Sequence, residues 1–171
     1  KSLNLLKSTL PSDKSSDVKL EFNASNAFFS FDNVKMVCRL IDERYPDYEN
    51  VIPLDNSNNI VIDKSEVLSS LKRISIYANK TTNQVRFKIS GGEILISAED
   101  LDFSNEANER ISCEHDGADI EIGFNAKFLI EILSNLNSTR VTFKLSEPNK
   151  AGLIIPDEID EDEDITMLVM P

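Results

Sequence analysis

One segment of this 171-residue chain occurs twice. Residues 60–98 run through a short β-branched stretch, an amphipathic stretch and two further β-prone stretches, and residues 120–155 follow the same order. Both copies contain the pattern Val-x-Phe-Lys-x-Ser, which starts at Val85 and again at Val141, 56 residues later. Self-similarity at a fixed spacing is typical of a repeated structural unit, so the chain is predicted to contain a duplicated β-α-β-β unit.

A partial third copy opens the chain, with a predicted helix over residues 2–10 and predicted strands over 18–22 and 27–31. The remaining strand candidates alternate apolar and polar residues, as half-buried antiparallel strands do. We therefore predict an α+β fold in which duplicated β-α-β-β units place their helices on one face of antiparallel sheets. The duplication implies pseudo-symmetry within the chain, and such symmetry favours assembly into a ring or an array.

Each complete copy contains one amphipathic helix, predicted over residues 64–76 and 125–136, and the second begins with Asn125 as a plausible N-cap. At 100° per residue, apolar side chains of each helix fall on one stripe that would pack on a sheet. The stripe residues are Val67, Leu68, Leu71, Ile74 and Ala78 in the first helix and Phe128, Leu129, Ile132, Leu133 and Leu136 in the second.

Two apolar residues, Ile76 and Tyr77, fall off the first stripe. They indicate a partner surface, unless the helix simply ends at Ser75. Between the predicted strands, the glycine-containing pairs 91–92 and 116–117 are typical of hairpin turns.

The charge pattern is uneven. The net charge is −12, which argues against binding nucleic acid, because phosphate binding depends on lysine and arginine. Seven acidic residues crowd into 157–164, however, whereas basic residues recur on the predicted helices. Those basic residues are Lys1, Lys7, Lys64, Lys72, Arg73 and Lys127. An acidic body with basic helices can still hold DNA on one surface.

The sequence lacks the parts of most catalytic sites. The single histidine, His115, is expected to be solvated at a turn, and no nucleophile elbow, phosphate loop or zinc-protease motif occurs. The acidic segment 157–164 is expected to form a mobile, solvated loop rather than a two-metal site. Cys38 and Cys113 lie in unlike settings without metal spacing, which favours a reducing cytoplasm. We therefore predict no enzyme activity, no cofactor, no metal and, because no apolar run reaches about 18 residues, no membrane association.

Two segments do not fit a purely structural role. The connector 42–53 carries tyrosines and prolines where a linker is normally polar, and a domain boundary is predicted near residue 54. Residues 167–171 end the chain in an apolar, methionine-rich strand. Both can be ordinary core, or together they can line a hydrophobic groove for a partner peptide.

Three strings in this sequence carry a family resemblance. They are Leu-Ile-Asp-Glu-Arg-Tyr-Pro-Asp-Tyr at 40–48, Asp-Ile-Glu-Ile-Gly-Phe-Asn at 119–125 and Val-Met-Pro at 169–171. They closely resemble the bacterial sliding clamps, the β subunits of DNA polymerase III. The resemblance covers essentially the whole chain and implies that residues 1–53 are the C-terminal half of the middle clamp domain and 54–171 the third domain. It implies a three-domain protein of which this chain is a fragment, with one wall of the groove outside it.

The resemblance assigns residues to three surfaces. The implied peptide-binding groove contains Pro46, Asn50, Val51, Asn125, Phe128, Gly152, Leu168, Met170 and Pro171. The implied DNA-facing residues are Lys7, Lys64, Lys72, Arg73 and Lys127, and the implied dimer interface contains Ile76, Tyr77, Glu106 and Glu109. Family members usually carry a basic residue where Asn50 stands and often a tyrosine where Phe128 stands.

The function implied by the resemblance is that of a cytoplasmic, non-catalytic processivity factor of DNA replication. The full-length homodimer would encircle duplex DNA without sequence preference. Its implied protein partners are the replicative polymerase α subunit, the clamp loader, and other polymerases and repair proteins, all bound through short hydrophobic motifs. Two other classes stay open at this point: a β-rich protein-interaction module with no nucleic-acid role, and a metal-dependent nuclease that uses the acidic loop.

Overall fold

The computed structural model describes residues 2–12, 15–45 and 47–171. The chain forms two compact units, 1–46 and 47–171. Among the described helices, none is both long and apolar enough to cross a membrane. The predicted domain boundary near residue 54 stays a prediction.

In its described residues, the first unit is one helix and a three-stranded antiparallel sheet whose strands pair in chain order. Its elements are α1 (Ser2–Thr9), β1 (Lys19–Phe22), β2 (Asn26–Phe31) and β3 (Val34–Arg39). Alternate residues of β2 are buried, namely Ala27, Phe29 and Phe31, because successive side chains of a strand point to opposite faces. The helix and two strands predicted for the partial third copy are confirmed, and β3 adds a third strand.

The second unit contains two antiparallel sheets and two helices, which confirms the predicted α+β class. Its elements are β4 (Asn58–Asp63), α2 (Lys64–Ile74), β5 (Gln84–Ser90), β6 (Glu93–Asp100), β7 (Asn105–Ser112), β8 (Glu114–His115), β9 (Ile120–Asn125), α3 (Ala126–Asn135), β10 (Arg140–Leu145), β11 (Gly152–Pro156) and β12 (Met167–Val169), with 3-10 turns at Glu49–Val51 and Ser75–Tyr77. The sheet orders are β12-β11-β10-β4-β8 and β7-β6-β5-β9.

The two repeats exchange their first strands. Strand β4 of the first repeat pairs with β10 of the second, with Arg140 opposite Asp63. Strand β9 of the second repeat pairs with β5 of the first, with Gln84 opposite Asn125. The two pairings end at equivalent places, because Asp63 and Asn125 each precede a helix. The sheets are therefore related by pseudo-symmetry, and neither is built from one repeat alone.

Both helices start at a side-chain cap. The Glu66 N–H donates to Asp63 Oδ1 at 2.8 Å, and the Lys127 N–H donates to Asn125 Oδ1 at 3.0 Å, which confirms the predicted Asn125 cap. Hydrogen bonds from the Ser65 hydroxyl and then from the Glu66 N–H lower the pKa of Asp63. Each cap satisfies a backbone donor that the first helical turn leaves unpaired.

One hydrophobic core joins both sheets and both helices. The helices contribute equivalent positions, namely Val67, Leu71 and Ile74 from the first repeat and Leu129, Leu133 and Leu136 from the second. The predicted burial of Phe128 is wrong, since its side chain is 57% exposed. Phe128 lies 100° around the helix from Leu129, outside the face that the core covers.

The predicted hairpin at 116–117 is also wrong. Strand β7 ends at Ser112, and the chain then crosses to the other sheet, where β8 pairs with β4 and places His115 opposite Ile60. The Ala118 N–H donates to the Asn58 side chain at 3.0 Å, which fixes this crossing. His115 is therefore half-buried on a strand and not solvated at a turn. The other predicted turn, 91–92, is confirmed and joins β5 to β6.

Candidate functional site

A cavity of about 440 Å³ opens beside strand β12. Its lining residues are Tyr48, Val51, Ile52, Asp164, Thr166 and Leu168. Three of its walls are aliphatic side chains, and the volume falls in the range of pockets that hold small ligands or the side chains of a peptide. The cavity is the candidate binding site of the second unit.

The segment that forms one side of this cavity is held by short hydrogen bonds. The Val51 N–H donates to the Tyr48 carbonyl at 3.0 Å and closes the 3-10 turn. The Asn50 side chain donates to Asp47 Oδ2 at 2.6 Å. Further along, Asn56 Nδ2 donates to two backbone carbonyls of the β10–β11 region, at 2.9 and 3.0 Å. The turn is thus closed by its own hydrogen bonds, and Asn56, which follows it, is anchored to the sheet that carries β12.

The structure brings part of the predicted groove together. Val51 and Leu168 face the same cavity. Met170 and Pro171 follow β12 and are exposed, and Phe128 is exposed on α3, which packs against β12. Pro46 lies outside the described residues, so its predicted place in the groove stays a prediction.

Two predicted groove residues have structural roles. Asn125 caps α3, and its Nδ2 also donates to the Thr82 carbonyl at 3.0 Å. Gly152 is buried, and a Cβ atom placed on it would lie 2.7 Å from Leu145 Cδ2. In the structure, Asn125 therefore caps a helix, and Gly152 allows close packing against Leu145.

Four residues of the cavity were absent from the predicted groove: Tyr48, Ile52, Asp164 and Thr166. Tyr48 and Ile52 lie in the connector whose aromatic and apolar content stood out, so a signal for them existed. Asp164 belongs to the acidic segment 157–164, which was expected to lack fixed geometry. That expectation is wrong for the start of the segment, where Thr142 donates to Asp157 at 2.7 Å and the Thr139 N–H donates to Glu158 at 3.1 Å.

The predicted DNA-facing cations differ in how they are engaged. Lys72 on α2 and Lys127 on α3 are exposed, and these two helices pack against each other. Lys64 Nζ instead donates to the Leu136 carbonyl at 2.9 Å, at the end of α3. Lys7 is exposed on α1 in the first unit. The exposed lysines are therefore available to a solvent-side anion, whereas Lys64 is engaged by a helix terminus.

The fifth cation, Arg73, forms a two-pronged ion pair with Glu109 on β7. Nε donates to Oε1 at 2.7 Å and Nη2 donates to Oε2 at 2.6 Å. The pairing raises the pKa of Arg73 and lowers the pKa of Glu109. This geometry joins a residue predicted to face DNA with one predicted for the dimer interface, and it ties α2 to the edge strand β7.

The predicted interface residues Ile76 and Tyr77 are 65% and 43% exposed. The α-helix ends at Ile74, and both residues lie on the following 3-10 turn, which contacts β6 and β7. Glu106 lies at the start of β7 and is also exposed. The turn between β6 and β7 adds two exposed apolar side chains that sequence reasoning missed, Leu101 and Phe103. The sequence signal for these two residues was the presence of apolar side chains in a tight turn.

Comparison with known proteins shows which family shares this architecture. Residues 49–171 match the family model of the DNA polymerase III beta subunit, C-terminal domain. The chain belongs to this sliding clamp family. The beta sliding clamp of Pseudomonas aeruginosa is 32% identical over 133 residues, which cover 78% of this chain and 35% of that protein. The beta sliding clamp of Borreliella burgdorferi is 26% identical over 160 residues, 90% of this chain and 40% of the relative.

Solved sliding clamps share the fold. The DNA polymerase III subunit beta of Pseudomonas aeruginosa superimposes with a TM-score of 0.84 and 26% identity, over 94% of this chain and 43% of that one. A Bartonella birtlesii sliding clamp bound to griselimycin gives a TM-score of 0.82 and 26% identity, over 98% of this chain and 42% of that one. The chain thus spans less than half the length of these sliding clamp relatives.

Proposed function

We propose that this chain is part of a sliding clamp that acts as a processivity factor in bacterial DNA replication. The observation that carries the proposal is the strand-exchanged pair of repeats, which sets α2 and α3 side by side with Lys72 and Lys127 exposed. Support comes from the family match and from relatives named beta sliding clamps. The work of such a protein is tethering, which raises the local concentration of a polymerase without any bond being made or broken.

In this proposal the full-length protein forms a homodimeric ring whose helices face duplex DNA. Exposed lysines then contact phosphates, so binding is independent of sequence and weakens as salt rises. Lys7, Lys72 and Lys127 carry this role, while Lys64 and Arg73 contribute less because a helix terminus and Glu109 already engage them. The strongly acidic remainder of the chain keeps DNA from binding elsewhere on the surface.

The cavity beside β12 is proposed to receive short hydrophobic motifs of the replicative polymerase α subunit, the clamp loader and other polymerases or repair proteins. Val51 and Leu168 form its walls, and Met170 adds a deformable apolar side chain next to it. The proposed domain assignment is 1–53 for the end of the middle domain and 54–171 for the third domain. The exposed Ile76 and Tyr77 are proposed to meet the neighbouring subunit.

A topological experiment tests the proposal. The full-length protein is loaded by a clamp loader onto nicked circular DNA, and retention is measured by gel filtration before and after the circle is cut once. We expect the protein to remain on the circle and to leave after the cut, because a ring slides off a free end. Equal retention on circular and linear DNA would contradict the ring. A lack of retention on either would favour the alternative of an interaction module without a nucleic-acid role.

A further inference from the structure

The cavity beside β12 is bordered by charge of one sign. Its lining residues come from two segments, residues 48–52 and 164–168. Each segment contains one acidic residue, Glu49 and Asp164, and neither contains a lysine, arginine or histidine. Asp164 is the acidic side chain that lines the cavity itself. An apolar cavity with this border presents a negative potential to any ligand that enters it.

The negative charge is not neutralised by neighbouring groups. Asp157 and Glu158 accept hydrogen bonds from hydroxyl and amide donors, which carry no charge. Within the part of the chain that the structure describes, no lysine or arginine pairs with Asp164. Lys150 approaches Asp55 at 3.6 Å but shares its charge with another carboxylate. Among the described residues, the charge of Asp164 at the cavity is therefore not balanced by an ion pair.

An occupant must match both the apolar walls and this charge. Val51, Ile52 and Leu168 suit an apolar side chain, and a carboxylate within the same cavity suits a cation close to that side chain. An acidic flanking residue or a phosphate group would instead be repelled by Asp164. The chemistry fits a protein segment with an apolar anchor and a basic neighbour.

We propose that this groove selects partner segments that carry a lysine or arginine next to the apolar anchor, and that Asp164 makes the selection. The inference rests on the proposed function, which supplies the peptide as the occupant. It goes further by naming the charge that the partner must carry. The selection has two parts. Asp164 attracts a basic residue next to the anchor, and it repels an acidic residue at the same position.

The test uses three fluorescent peptides with one shared anchor of leucine and phenylalanine and with lysine, serine or glutamate at the flanking position. Binding to the full-length protein is measured by fluorescence anisotropy. We expect the lysine peptide to bind about fivefold more tightly than the serine peptide, and the glutamate peptide more weakly, as is typical of a partly exposed charge pair. The preference should shrink in about 0.5 M salt, where screening is strong.

Two matched variants assign the effect to a residue. Asp164→Asn should remove most of the preference for the lysine peptide over the serine peptide. Asp160→Asn removes the same charge from the same acidic segment, but Asp160 lines a different cavity, so the preference should remain. Equal binding of all three peptides, or equal effects of the two variants, would overturn the selection by Asp164 and leave the proposed groove intact. Failure of all three peptides to bind would overturn the groove and this inference with it.

Discussion

Gly152 offers a quantitative test of how strand β11 is packed against the cavity strand β12. The residue pairs with Val169 across the sheet and is buried. A Cβ atom at this position would lie 2.7 Å from Leu145 Cδ2, 3.5 Å from Val169 Cγ1 and 3.7 Å from Phe124 Cζ. Leu145 is 1% exposed, so its side chain has no solvent space into which it can move.

Gly152→Ala should therefore destabilise the protein by overpacking. Overpacking a core costs about 1–3 kcal/mol, and the reduced freedom of the unfolded chain returns about 0.4–1 kcal/mol. The net loss is about 1–2 kcal/mol, which at a urea dependence of about 2 kcal/mol per molar lowers the urea midpoint by roughly 0.5–1 M. Far-UV circular dichroism of the chain in increasing urea measures this midpoint.

Gly123→Ala is the matched control. Gly123 also lies within a strand, and its added Cβ would lie 2.8 Å from Gln84 Nε2. That atom is the end of an exposed, flexible side chain that can rotate away, so the free energy of unfolding should stay within about 0.5 kcal/mol of the parent value. At about 2 kcal/mol per molar, this is a midpoint shift of no more than about 0.25 M. A normal midpoint for Gly152→Ala, or equal losses in both variants, would refute the packing argument.

Four further predictions concern the surfaces and the helix cap. Lys72→Glu in the full-length protein should weaken DNA binding and flatten its dependence on salt, measured by anisotropy with a duplex at several salt concentrations. Replacing Ile76 and Tyr77 by aspartate should leave the fold intact and give a monomer in analytical ultracentrifugation. Met170→Ala should weaken capture of a polymerase-tail peptide in a calorimetric titration while the melting temperature stays nearly unchanged. Asp63→Ala should lower the free energy of unfolding by about 1 kcal/mol at pH 7 through loss of the cap. Because the folded pKa of Asp63 lies below its ordinary value of 3.8, this difference should disappear as the pH falls through the folded pKa.

Each of these predictions has an outcome that would contradict it. A salt slope unchanged by Lys72→Glu would remove that lysine from the DNA surface. Unfolding of the Ile76 and Tyr77 double variant would show that these side chains belong to the core. Undiminished peptide capture by Met170→Ala would place the groove elsewhere. A destabilisation by Asp63→Ala that does not shrink as the pH falls below 3.8, the ordinary pKa, would mean that the cap does not depend on the carboxylate charge.

The sequence predicts the regular parts of this fold well because they depend on local pattern. The repeat, the two helices, the Asn125 cap and the 91–92 turn all follow from spacing and residue type. The crossing to β8 was missed because a two-residue strand leaves no periodic signal, and because its pairing with β4 depends on a side chain, Asn58, far away in sequence. Phe128 was misplaced because an apolar residue at the margin of a helical stripe can fall on either side of the core boundary.

The candidate site was predicted less completely, for a different physical reason. The family resemblance assigned Val51 and Leu168 to the groove, and both lie in segments whose apolar content is unusual for a linker or a chain end. The engagement of Lys64 by the end of α3 and of Arg73 by Glu109 depends on tertiary contacts, which no local pattern encodes. The acidic segment was predicted from composition to be a mobile, solvated loop. Its residues are exposed, but the hydrogen bonds from two threonines to its first residues are tertiary contacts that composition does not encode.

The exchange of first strands between the repeats has a consequence for how this unit can assemble. A single repeat on its own would leave the hydrogen-bonding edge of β5 or β10 open, and its free first strand would have no sheet to join. Two identical copies would close both edges by trading that strand, as in a domain-swapped dimer. In the second unit the two repeats belong to one chain, so the unit resembles a domain-swapped dimer whose halves are joined covalently. Its halves therefore have to fold together, through contacts distant in sequence, and a chain cut between β7 and β9 should regain structure only when both pieces are mixed.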